Sequence, residues 1–143
     1  MNEKIIGKIM KKYLSLWLIG LCVIGFSTQT QGQEILDKEW IVTQIGKEKV
    51  SVSAEKTPWI KLSEGRVSGF SACNRMIGSY TLEGETLTFG AIGGTKMFCQ
   101  EVADLEDVFI QTLQKIRYWK SKSGKLRLFD EKKKLIMKFK IKK

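Results

Sequence analysis

The chain has 143 residues, with 25 Lys and Arg against 15 Asp and Glu, a formal net charge of +10 at pH 7, three cysteines and no histidine. The missing histidine excludes Ser/His and Cys/His nucleophile pairs, histidine general bases and histidine metal sites. With only two cysteines beyond the N-terminal segment, a zinc site of four Cys or His ligands is excluded as well.

Residues 1–13 carry Lys4, Lys8, Lys11 and Lys12 against Glu3, and an uncharged apolar run follows from Leu14 to Phe26. The run is too short for a membrane-spanning helix, which needs about 20 apolar residues. It passes into the polar stretch Ser27 to Gly32. This is the pattern of a secretory signal peptide over residues 1–32, with cleavage expected before Gln33. Cys22 is preceded by the bulky Leu21 rather than a small residue, so no lipid anchor is expected there. Residues 33–143 have the length of one domain with one modest core.

In that domain the predicted elements run in chain order. Lys38 to Ile45, rich in β-branched and aromatic residues, predicts a strand with Trp40 and Val42 on one face and Ile41 and Ile45 on the other. Gly46 turns the chain into a short extended piece from Lys49. A strand from Trp59 follows Pro58, and Glu64–Gly65 turns it into Arg66 to Phe70. After a turn region from Cys73 to Gly78, Ser79 to Glu83 and Thr86 to Phe89 form a hairpin. Gly90, Gly93 and Gly94 are expected to break regular structure before Thr95 to Cys99.

From about Glu101 to Ile116 the period changes. Val102, Leu105, Phe109, Leu113 and Ile116 recur at spacings of three and four, with acids near the start and Lys115 at the end. That is one amphipathic helix. Three strands close the chain, over Arg117–Lys122, Lys125–Phe129 and Leu135–Ile141. The expected fold is mainly β with one α-helix: a small antiparallel β-barrel or strongly curved sheet of about eight strands, the helix packed over an open end or edge.

The segments VSGFSACNRMIGSY (67–80), TKMFC (95–99) and LEDVFIQTL (105–113), with the closing LRLFD and KLIMKF pieces, resemble the META domain family, to which the bacterial heat-shock protein HslJ belongs. The motif residues are Gly69, Cys73, Asn74, Arg75, Thr95, Met97 and Cys99. The resemblance covers Trp40 to Phe139. It implies a barrel-like β fold with one helix, frequent export or membrane anchoring, a link to stress or drug tolerance, and no established biochemical activity.

Cys73 and Cys99 are the even pair that an exported domain can oxidise. In the chain-entropy model that link is worth roughly 3.5 kcal/mol. Two alternatives stand beside the disulfide: a pair of buried thiols acting as small hydrophobes, and a soft Cu(I) site completed by Met76 and Met97. Arg75 reads either as an anion contact or as an outward arginine of a turn that Asn74 shapes. Gly69 and Gly78 mark a bulge or close backbone approach rather than a phosphate loop.

The basic side chains concentrate at the C-terminal end: residues 115–143 hold 13 basic and 2 acidic residues. Lys125, Arg127, Lys138, Lys140 and Lys142 fall on polar positions of adjacent strands. They form either an anion-binding face, for lipid headgroups or acidic glycan rather than nucleic acid, or a solvated face that keeps sheet edges from pairing. The functional expectation is an exported, monomeric, non-catalytic domain of stress response or envelope maintenance that acts by binding, with no metal or cofactor. The alternative is a carrier holding a small apolar ligand inside the barrel, lined by Trp40, Trp59, Phe70 and Phe109.

Overall fold

The computed structural model describes residues 32–143; all of the expected signal segment (1–32) but its last residue, and with it Cys22, lies outside the described residues. Nine strands form one antiparallel sheet: β1 (Glu39–Ile45), β2 (Glu48–Lys49), β3 (Trp59–Ser63), β4 (Arg66–Phe70), β5 (Arg75–Glu83), β6 (Thr86–Gly94), β7 (Tyr118–Lys122), β8 (Lys125–Phe129) and β9 (Leu135–Ile141). Sequential strands are neighbours, except that β2 hangs on the outer end of β1 and β1 also pairs with β9. That last pairing bends the sheet into a ring. The pairing covers the edges of β1 and β9 that a flat sheet would expose.

The ring is weakest between β6 and β7, which share one registered pair, Thr86 with Tyr118. Helix α1 (Ala103–Gln114) packs against β6, where the Gln114 side-chain amide donates to the Gly90 carbonyl at 3.0 Å. Its apolar face enters the ring: Phe109 and Leu113 are fully buried, and the Phe109 ring meets Phe139 of β9 edge-on at 6.4 Å. Edge-to-face contact is a favoured geometry for two aromatic quadrupoles. Buried Trp40 and Trp119 also satisfy their indole N–H groups, on the carbonyls of Ile35 and Gly84.

Several elements depart from the pattern of the sequence. Ile45 is buried with Trp40 and Val42 instead of facing away from them. A bulge in β1 explains it: Val42 pairs with Phe139 but Gln44 with Lys138, so Thr43 is an extra residue that resets the alternation. The extended piece after Gly46 is only the two residues of β2, followed by a 3-10 turn at Ala54–Lys56. β5 begins at Arg75 because the preceding turn is confined to Ser71–Asn74.

β6 continues through the glycines to Gly94 instead of ending at Phe89. A Cβ on Gly94 would lie 2.2 Å from the Arg75 carbonyl oxygen, so the close approach of β5 is what requires glycine there. Of the three glycines that read as breakers, Gly90 and Gly94 are fitted closely against β5 and Gly93 faces open space. The helix in turn starts two residues later than the apolar period, which begins in a 3-10 turn at Gln100–Val102.

Candidate functional site

The motif residues come together as a clasp. Cys73 and Cys99 form a disulfide with Cα atoms 5.8 Å apart, joining the β4–β5 turn to the loop that follows β6. Beside it, the buried Asn74 side chain spends its full hydrogen-bonding capacity. Its Nδ2 donates to the Met97 carbonyl at 2.9 Å and to Glu106 Oε2 at 3.1 Å. Its Oδ1 accepts from the Met97 N–H at 2.7 Å and the Thr95 hydroxyl at 2.8 Å. The Thr95 hydroxyl oxygen accepts the Arg75 N–H at 3.1 Å. Asn74 does for this loop what a paired strand would otherwise do.

Glu106 is the member of this network that sequence reasoning missed. From the first turns of α1 its Oε1 accepts the Asn74 N–H at 3.2 Å, and the buried Ser71 hydroxyl reaches the same oxygen. The signal was present, since an acid early in a helix suits the dipole, but the dipole supplied a sufficient reason and concealed the specific partner.

The soft-metal alternative does not assemble. Both sulfurs are in the disulfide, Met76 is buried among the core side chains, and Met97 is 60% exposed. Among the described residues no group of three or more His, Cys, Asp or Glu is placed to hold a metal ion.

Gly69 is buried on the inner side of β4, where a Cβ would stand 2.2 Å from the Trp59 carbonyl oxygen. That is the close backbone approach expected of it. Arg75 is exposed on the outer face, and its guanidinium has no hydrogen-bond or ion-pair partner among the described residues.

The basic face is built by register. On the outer side of the ring, Lys120 of β7 lies opposite Arg127 of β8, which lies opposite Lys138 of β9. One pleat along, Lys122 lies opposite Lys125, and Lys125 opposite Lys140. The result is two rows of three cations, spaced by about 5 Å between strands and 7 Å along them. None of the six has an ion-pair partner among the described residues. A hollow of ≈ 290 Å³ is lined by Thr43, Lys125, Arg127, Lys138 and Lys140 together with Leu126 and Phe139.

Lys142 does not join this grid. Its ammonium pairs with Glu39 at 2.5 Å and sits over the Trp59 ring at 5.7 Å. Lys120 and Lys122 take its place, and the alternation of Tyr118, Lys120 and Lys122 with the buried Trp119 was the signal for them.

The four aromatics expected to line an interior pocket are divided. Trp40 and Phe109 fill the core, whereas Trp59 and Phe70 pair with each other on the outer face.

Among the described residues, a one-sheet β ring with a single inserted helix and a disulfide-held loop defines a small β-rich domain whose signature residues serve its architecture, except for the outward guanidinium of Arg75. The chain belongs to the META domain family, whose model matches residues 33–143. Comparison with curated proteins found no match. Among solved structures, a protein from Burkholderia xenovorans studied by NMR is similar, with a TM-score of 0.63 and 24% identity over 77% of this chain and 85% of that one. A DUF4847 family protein from Bacteroides vulgatus gives 0.54 and 17% identity, over 74% of this chain and 93% of that one. These likenesses are of fold.

Proposed function

We propose that this META domain is an exported, non-catalytic domain of stress response or envelope maintenance, and that it acts by binding an anionic envelope component on the β7–β9 face. The observation that carries the reading is the pair of cation rows. Like charges directly opposite on neighbouring strands destabilise a sheet, and here four such contacts recur with no intervening acid. Protection of a sheet edge accounts at most for Lys120 and Lys122 of β7, whose pairing with β6 is confined to Thr86–Tyr118; Lys125, Arg127, Lys138 and Lys140 lie on β8 and β9, which are paired on both sides. The N-terminal Lys-flanked apolar segment supports export.

The test is co-sedimentation with phosphatidylglycerol vesicles and, separately, with polygalacturonate, at rising salt. Binding that falls steeply with ionic strength and is absent on phosphatidylcholine supports the proposal. Failure to bind either polyanion, or binding that ignores salt, removes it.

A further inference from the structure

A second surface lies on β3–β5, away from the cation rows. Trp59, Phe70 and Arg75 stand opposite one another in a single outer row across three strands. They line a groove of ≈ 490 Å³ together with Glu55 and Ser68, and Gly69 contributes to its lining without a side chain. Ligand sites generally fall between about 300 and 1,000 Å³.

At the strand spacing of about 5 Å, the row spans roughly 10 Å from Trp59 to Arg75. That is the length of one ring laid across the aromatics with a charged substituent reaching the guanidinium. Each component has a chemical consequence. Two half-buried aromatic residues opposite each other on adjacent strands favour an apolar ring face, on the side of Trp59 that the Lys142 ammonium does not cover. The Arg75 guanidinium, without a partner among the described residues, favours a carboxylate, which it can take in bidentate fashion. The Ser68 hydroxyl and the Glu55 carboxylate add hydrogen-bond partners for hydroxyl groups, which a plain aromatic acid lacks.

We infer that this groove is a binding site for a hexuronate unit of an acidic glycan. The pyranose C–H face lies on Trp59 and Phe70, the carboxylate meets Arg75, and ring hydroxyls reach Ser68 and Glu55. The inference does not depend on the cation rows, since a single uronate has one charge and these residues occupy other strands.

The experiment is an NMR titration of the protein with D-galacturonate, following the Trp59 indole N–H and the amides of Phe70 and Arg75. D-galactose and benzoate serve as comparisons. Saturable shifts with galacturonate, shifts with galactose or benzoate weaker by roughly tenfold or more, and loss of the response in Arg75→Gln but not in Lys47→Gln, an exposed turn residue outside both surfaces, are expected. No shift with galacturonate, equal binding of galactose or benzoate, or unaltered binding by a folded Arg75→Gln protein would overturn the assignment. Should Arg75→Gln fail to fold, the contrast between the three probes on the unaltered protein decides, and Phe70→Leu must weaken galacturonate binding.

Discussion

Glu106 and Asn74, 32 residues apart in sequence, hold each other through two hydrogen bonds: the carboxylate accepts the Asn74 N–H at 3.2 Å and its side-chain Nδ2 at 3.1 Å. Through Asn74 the helix is tied to both backbone polar groups of Met97. One residue thus links the helix to the loop after β6, beside the disulfide that holds the same loop. Asn74→Ala would leave these groups unpaired in a buried setting, and we expect a loss of about 2–4 kcal/mol. Urea midpoints of the two proteins check it; a change under 1 kcal/mol would mean that water replaces the amide without cost.

The Cys73–Cys99 disulfide closes a sequence separation of 26 residues. Replacing both cysteines by alanine should lower stability by roughly 3.5 kcal/mol in the chain-entropy account. Reductant should lower the unaltered protein's midpoint toward that of the double variant and leave the variant itself unchanged.

Gly69→Ala would place a methyl 2.2 Å from the Trp59 carbonyl, in a strand pair that cannot open without breaking the ring. Overpacking of this kind costs about 1–3 kcal/mol. Gly93→Ala is the control, because a Cβ there meets nothing within 4 Å. Thermal melts should show a clear drop for the first substitution and little for the second.

The cation rows make an opposite prediction for stability and binding. Arg127→Glu would face Lys120 on one side and Lys138 on the other, turning two repulsions into attractions. The fold should gain about 0.5–1 kcal/mol, while binding to phosphatidylglycerol vesicles or polygalacturonate falls. A variant that is more stable and binds equally well would show that the rows have no binding role.

Lys56 holds the Glu101 carboxyl below its ordinary pKa, first through its side-chain hydrogen bond and then through charge. A carboxylate whose folded pKa is depressed stabilises the fold at pH values above its unfolded pKa, and that stabilisation is lost as pH falls through the folded value. The pair is exposed, so the effect is small. A carbonyl-carbon NMR titration should show the Glu101 midpoint rise toward the ordinary carboxylate range in Lys56→Ala.

Much of the fold was legible in the residues because local rules acted without competition. The Arg66–Phe70, Lys125–Phe129 and Leu135–Ile141 strands stand where alternation and turn residues put them. The helix appeared through its change of period, and the family through three motifs in order. Reading failed where a long-range contact reset a local rule. Thr43 inserts one residue against β9 and moves Ile45 to the core, and Gly90 and Gly94 of β6 fit closely against β5 instead of ending a strand.

The candidate surfaces divide in the same way. Alternating polarity marked Lys125, Arg127, Lys138 and Lys140 as outward, because a strand's two faces follow from its period of two. Register alone decided that they align with Lys120 and Lys122 in two rows, and that Lys142 is taken by Glu39. Likewise the sequence identified Cys73, Asn74 and Cys99 as a motif. The row of Trp59, Phe70 and Arg75 follows from two local hairpins, across Glu64–Gly65 and Ser71–Asn74, whereas only the packed structure brought Glu106 against Asn74, because a contact between a helix and a turn 32 residues away depends on how the whole ring packs, and no local pattern encodes it.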